Sequence, residues 1–83
     1  MEITQKAFHD LIGMEREYQL KKWGEQKHSD ERWLAILVEE VGEVAKAILE
    51  ENDIELMKEM CQVGAVLESW VTSREFFKEE EDN

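Results

Sequence analysis

Two glutamates stand where a helical sequence should place hydrophobes, and each has a second oxygen-bearing side chain three residues on: Glu40-x-x-Glu43 and Glu59-x-x-Gln62. At roughly 100° per residue, the face around Trp33 reads Ile36, Ala47, Glu40, Trp33, Val44, Leu37, Ile48, Val41. Glu40 is therefore flanked by apolar residues on both sides, with Glu43 at the edge of the arc. Counted from Leu56, the second stretch reads Val66, Glu59, Trp70, Val63, Leu56, Leu67, Met60, Val71, which puts Glu59 inside the stripe and Gln62 beyond its edge. A lone buried carboxylate is costly unless it is neutralised, paired or bound to a cation. Two acids arranged alike point to one shared ligand. The alternative is that both reach outward past a loosely packed stripe, or bridge to Lys or Arg from the first helix.

Between the two stretches lies Glu51-Asn52-Asp53, with Asn52 as an N-cap and Glu55 completing a pattern like a capping box. So short a connection makes the helices antiparallel neighbours. Glu43 with Glu59, and Glu40 with Gln62, share a midpoint at position 51, inside that turn. All four side chains are thus expected at one level. Three carboxylates and an amide carbonyl make a hard, all-oxygen donor set, suited to Mg²⁺ or Mn²⁺ and not to zinc or copper. Glu40, Glu43, Glu59 and Gln62 are the expected metal ligands.

Three helices must position them. The first is expected from about Thr4 to Lys22, with Ala7, Phe8, Leu11, Ile12, Met14 and Tyr18 on one side and Glu15 intruding into that face. A loop from Trp23 to His28 follows, closed by Ser29 or Asp30 as N-cap. The second helix then runs to about Glu50 and the third from near Asp53 past Trp70. The acidic end, residues 78–83, sets negative charge at a negative helix terminus and is expected to fray. The fold class read from this pattern is all-α: a three-helix chain forming an antiparallel bundle, completed by homo-oligomerisation into a core like that of a four-helix bundle. Eighty-three residues without proline form one domain, 1–83, whose core is modest.

Ten Lys and Arg against 21 Asp and Glu give a net charge of −11, which argues against a nucleic acid or an anionic membrane as partner. The single Cys61 points to a reducing compartment. Neither a leader nor a transmembrane run is read in the sequence, whose longest continuous apolar stretch is Trp33 to Val38, so a cytoplasmic location is expected.

The stretches Trp23-Gly-Glu-Gln-Lys-His28, Trp33-Leu-Ala-Ile-Leu-Val-Glu39-Glu40-Val-Gly-Glu43-Val-Ala-Lys46 and Glu59-Met-Cys-Gln62-Val together resemble the MazG-like branch of the all-α nucleoside triphosphate pyrophosphatases. The similarity covers about Met14 to Trp70. It implies a Mg²⁺-dependent enzyme, a homodimer or homotetramer, that hydrolyses an NTP or dNTP to the monophosphate and pyrophosphate. By position, Glu40, Glu43 and Glu59 would be metal ligands, and Glu39 would help orient or deprotonate the attacking water. The family's second pair usually ends in Asp where this chain has Gln62. An amide oxygen coordinates but brings no charge. Trp23, His28 and Trp33 are candidates for stacking on or hydrogen-bonding a base, and Lys46, Lys22 and Lys27 for touching phosphate. Trp33, in mid-stripe, is expected in the core. A second reading is a catalytically degenerate helical dimer that binds metal or nucleotide and regulates another protein, and Gln62 is the residue that favours it.

Overall fold

The computed structural model describes residues 1–77. The acidic end expected to fray lies outside the described residues. Three helices follow one another, α1 (Gln5–Trp23), α2 (Asp30–Leu49) and α3 (Asp53–Ser73). Each begins at a side-chain cap that accepts one of the free N–H groups of a first turn. Thr4 accepts from Ala7 at 3.1 Å, Ser29 from Arg32 at 3.2 Å and Asn52 from Glu55 at 3.1 Å. Helix α1 ends at Gly24, whose φ of 71° only glycine adopts cheaply and whose N–H returns to the Leu20 carbonyl at 2.9 Å. The α2–α3 turn is tight because Glu51 takes φ 52° and Asn52 N–H reaches back to the Ala47 carbonyl at 3.1 Å.

Helix α3 is the shared partner. It packs against both α1 and α2, whereas no Cα of α1 comes within 8 Å of one in α2. The chain therefore runs up, down and up, with a gap between the outer helices floored by α3. The side of α3 that is buried is not the arc centred on Leu56. Cys61, Ala65, Val66 and Ser69 are its buried residues, while Met60, Leu67 and Val71 stay exposed. The reason is steric: a central helix needs small residues where its neighbours approach. At Gly64 an added Cβ would lie 2.6 Å from Ile12 Cδ1 and 3.0 Å from its Cγ1. On α2, Trp33 and Ala47 are buried, as the stripe predicts for Trp33. Leu34, Val38, Val41 and Ile48 are exposed, and with Ala45 they repeat at alternating four- and three-residue spacing.

Polar staples fix the outer helices. The Arg16 guanidinium donates to Ser69 at 2.6 Å and, at 3.3 Å each, to Glu68 and Thr72, joining α1 to α3. Asp30, the first residue of α2, accepts from the Trp70 indole at 2.9 Å and from Arg74 Nε at 3.0 and 3.1 Å. The Trp70 hydrogen bond, with the Arg74 charge, holds the Asp30 carboxyl below its ordinary range. Among the described residues, no helix is long and apolar enough to cross a membrane.

Gly13 has nothing within 4 Å of an added Cβ. Gly13→Ala is expected to stabilise the fold by about 1 kcal/mol through helix propensity. Gly64→Ala gains the same propensity but meets Ile12, and overpacking costs roughly 1–3 kcal/mol. Thermal melts should place Gly64→Ala below Gly13→Ala, and equal melting temperatures would contradict this packing of α1 on α3.

Candidate functional site

Glu40 and Glu59 meet across the α2–α3 interface. Glu40 is half-buried, has Glu59 beside it, and has its carboxyl pushed up to about 7. Burial is the largest cause, followed by the hydrogen bond and charge of Glu59 and then by the charges of Glu39 and Glu43. The helices position this pair because α2 and α3 are antiparallel and closely packed. Glu40 thus has Glu59 beside it across the interface and lines one hollow together with Gln62.

Gln62 is turned toward α1. Its Nε2 donates to Glu15 at 2.7 Å, while its Oε1 accepts from Gln19 at 3.2 Å. A carboxylate is the stronger acceptor, so the amide goes where a charged oxygen is offered. Gln19 also donates to Glu15 at 3.2 Å, which closes a three-membered polar network between α1 and α3. Glu15 and Gln19 are site residues that the reading of α2 and α3 alone did not assign. The available signal was Glu15 in the apolar face of α1, with Gln19 one turn later.

A hollow of about 220 Å³ opens between the outer helices, lined by Gln19, Trp23, Gln26, Trp33, Ile36, Glu40, Gln62, Val66 and Ser69. A smaller niche of about 30 Å³ adjoins it at the loop end, where Trp33 and Ser69 are common walls and Arg16 and Thr72 are added. The structure thus brings Glu40, Gln62 and Trp23 to one cleft, with Glu59 against Glu40. His28 lies against Trp33 edge-on, ring centroids 4.8 Å apart. Glu39 and Glu43 are exposed and lie near enough to raise Glu40 without lining the hollow. Lys46 is exposed in the last turn of α2, outside the lining, and the Lys22 ammonium sits 4.7 Å from the Trp23 ring. Among the described residues no three His, Cys, Asp or Glu side chains are gathered as a metal-binding group. Cys61 is buried, and burial with the charge of Glu15 pushes its thiol up, away from nucleophilic use.

The family model for phosphoribosyl-ATP pyrophosphohydrolase (PRA-PH) matches residues 5–64, which takes in α1, α2 and the first half of α3. The chain belongs to the PRA-PH family. That family lies within the MazG-like all-α nucleoside triphosphate pyrophosphatases and consists of pyrophosphohydrolases, hydrolases of acid anhydrides. Neither a curated protein nor a solved structure gives a match to the chain. Within this PRA-PH domain the matched segment includes every residue of the acid pair, the Gln62 network and the loop that bounds the cleft.

Folded Glu40 keeps its proton to about pH 7, whereas the unfolded chain releases it near the ordinary 4.5. The native state therefore binds the extra proton between those values, and stability falls as pH rises through that window. Glu40→Gln cannot ionise and removes this fall. Without metal, its urea midpoint should exceed that of the wild type at about pH 8 and show no such gain at about pH 4. Equal midpoints at the higher pH would mean that Glu40 is not held against Glu59.

Proposed function

We propose that this PRA-PH chain is a divalent-cation-dependent pyrophosphohydrolase that splits an NTP or dNTP into nucleoside monophosphate and pyrophosphate. The observation that carries the reading is the facing pair Glu40 and Glu59 at an aromatic-walled cleft. A phosphoanhydride brings several negative charges to the site, so two acids there make chemical sense only with a cation between protein and substrate. The donors fit a hard ion: they are all oxygen, they repel one another when ionised, and one of them holds a proton that a dication can replace. Glu40, Glu43, Glu59 and Gln62 would hold Mg²⁺ or Mn²⁺. When bound, the ion neutralises phosphate charge and polarises water.

The chain's own groups divide the remaining work. Glu39, beside Glu40 and exposed to solvent, orients or deprotonates the attacking water. Trp23 and His28 at the loop end hold the base. Lys46 lies about 9 Å beyond Glu40 along α2 at 1.5 Å per residue, on the side where a triphosphate running away from the loop would extend. Phosphoribosyl-ATP, the substrate in the family's name, is itself a triphosphate with the bond this site would cleave, and it belongs among the substrates to test.

A second copy of the chain supplies the missing fourth helix in this reading. The exposed Leu34, Val38, Val41, Ala45, Ile48 series has the spacing of a helix-packing seam, and a chain of 83 residues gains core by burying it. Light scattering at micromolar protein should give a homodimer or homotetramer, and a mass of 9.8 kDa would remove the second copy from the proposal.

Gln62 in place of an acid, together with its commitment to Glu15 and Gln19, favours the other reading of a degenerate binder. Incubation with NTPs, dNTPs and phosphoribosyl-ATP plus Mg²⁺ separates the two. The enzyme releases pyrophosphate, and Glu40→Gln or Glu59→Gln lowers the rate by at least about a hundredfold while the helical fold is kept. Mg²⁺ or Mn²⁺ at a hundredfold excess over its Kd should also stabilise the wild type by about 2.7 kcal/mol. An inactive wild type that Gln62→Asp switches on would be the degenerate member.

A further inference from the structure

Among the described residues that line the hollow and its niche, Arg16 is the only lysine or arginine, and it belongs to the niche at the loop end. Its guanidinium donates to Ser69 at 2.6 Å and to Thr72 at 3.3 Å, and both of those residues are niche wall as well. The charged head is thus set at that wall, and the side chain keeps 21 % of its surface exposed. A guanidinium carries five N–H groups. Nε uses its hydrogen on Glu68 at 3.3 Å, while Nη1 and Nη2 each use one on a hydroxyl, which leaves one N–H on each terminal nitrogen. We infer, on the reading of this cleft as a nucleotide site, that Arg16 reads the nucleobase and selects one with an exocyclic oxygen, guanine before uracil or thymine, over adenine and cytosine.

Place, size and charge favour a base edge over a phosphate. Ser69 follows Glu59 by ten residues on α3, about 15 Å at 1.5 Å per residue, so the niche is remote from the phosphates that the acids would engage. Its volume of about 30 Å³ suits roughly two waters, room for the edge of a ring but not for a ring or a phosphate group. The ring has the adjoining 220 Å³ hollow, where Trp23 is common to both walls as a stacking surface. Glu25 is also niche wall and Glu68 is 3.3 Å from Arg16 Nε, so a phosphate entering there would meet two carboxylates beside the one cation. A neutral acceptor meets no such opposition. A carbonyl oxygen or ring nitrogen accepts from the free N–H groups, whereas an exocyclic amino group sets donor against donor. Guanine offers O6 beside N7, the two acceptors that arginine meets in nucleic-acid readout. Uracil and thymine offer O4 alone. Adenine and cytosine carry an amino group at that place and leave the guanidinium hydrogens unpaired, a mismatch that discriminates strongly between substrates.

The test measures, by calorimetry with Mg²⁺ present, the binding of GMP and of 2-aminopurine riboside monophosphate, which has hydrogen in place of the exocyclic oxygen. The wild type should bind GMP at least about tenfold more tightly, and its kcat/KM for GTP should exceed that for ATP by a similar factor. The Arg16 Nε–H signal in ¹H–¹⁵N spectra should move with GMP and stay in place with inorganic phosphate. Arg16→Lys keeps the charge but not the fork of donors, and should shrink the preference for GMP to within about twofold. Equal binding of GMP and the analogue by the wild type overturns the inference, even if Arg16→Lys fails to fold. So does ATP hydrolysed as efficiently as GTP, a preference that survives in the folded variant, or an Nε–H signal that responds to inorganic phosphate, which would make the niche a phosphate site. If triphosphates are hydrolysed in any of these cases, the proposed function stands without it. If no nucleotide binds and none is hydrolysed, the nucleotide reading of the cleft fails and takes the inference with it.

Discussion

The molecule is organised around two carboxyl groups set against each other, one of which, that of Glu40, is pushed up to about 7. Glu40 and Glu59 are brought together by the close antiparallel packing of α2 on α3, and the nearness of a like charge, added to burial, makes Glu40 keep its proton more readily than an ordinary carboxyl. Trp33, Ile36 and Val66, all in the wall of the cleft, withdraw water from one side of the pair and make the repulsion stronger than it would be on an open surface. The tension is thus built by the apolar residues as much as by the acids. Replacing the acids would relax the interface. Keeping them makes the interface respond to whatever neutralises them.

A second consequence of the packing is the cleft. Because α1 and α2 each rest on α3 and not on each other, the space between them stays open, and its floor is a row of residues on α3. Gln62 sits on that floor and is tied to Glu15 and Gln19, so α1 takes part in the site without carrying any of the acids that mark it in α2 and α3. The network gives Gln62 a structural task that an aspartate, lacking the donor, could not perform.

Much of this was legible in the amino-acid order. Caps at Ser29 and Asn52, the short turn between α2 and α3, and the burial of Trp33 follow from local chemistry, and local chemistry decides them. Glu40 and Glu59 could be singled out because an acid in an apolar stripe is conspicuous in one helix alone. The pairing between them was harder. Their relative height depends on how α2 and α3 seat against each other, and small residues on α3, Cys61, Gly64, Ala65 and Ser69, turn its buried side away from the larger hydrophobes. Periodicity ranks positions by hydrophobicity and so favours Leu67 and Val71, both exposed here, over a glycine or serine at a close approach. Gln62 illustrates the same limit, since its partners come from a helix distant in sequence.

The clasp of Asp30 by Trp70 and Arg74 reaches further than the two helix ends it joins. A helix seated on one neighbour can roll about its own axis at little expense, and a roll of one residue step, roughly 100°, would carry Trp33 and Glu40 out of the cleft together. Three hydrogen bonds on the first residue of α2 remove that freedom at its root. The azimuth of every later side chain on α2 is then inherited from Asp30. The last turn of α3 and the residue after it therefore act as a keyway for α2, and the aim of the cleft is set from a point outside its own lining.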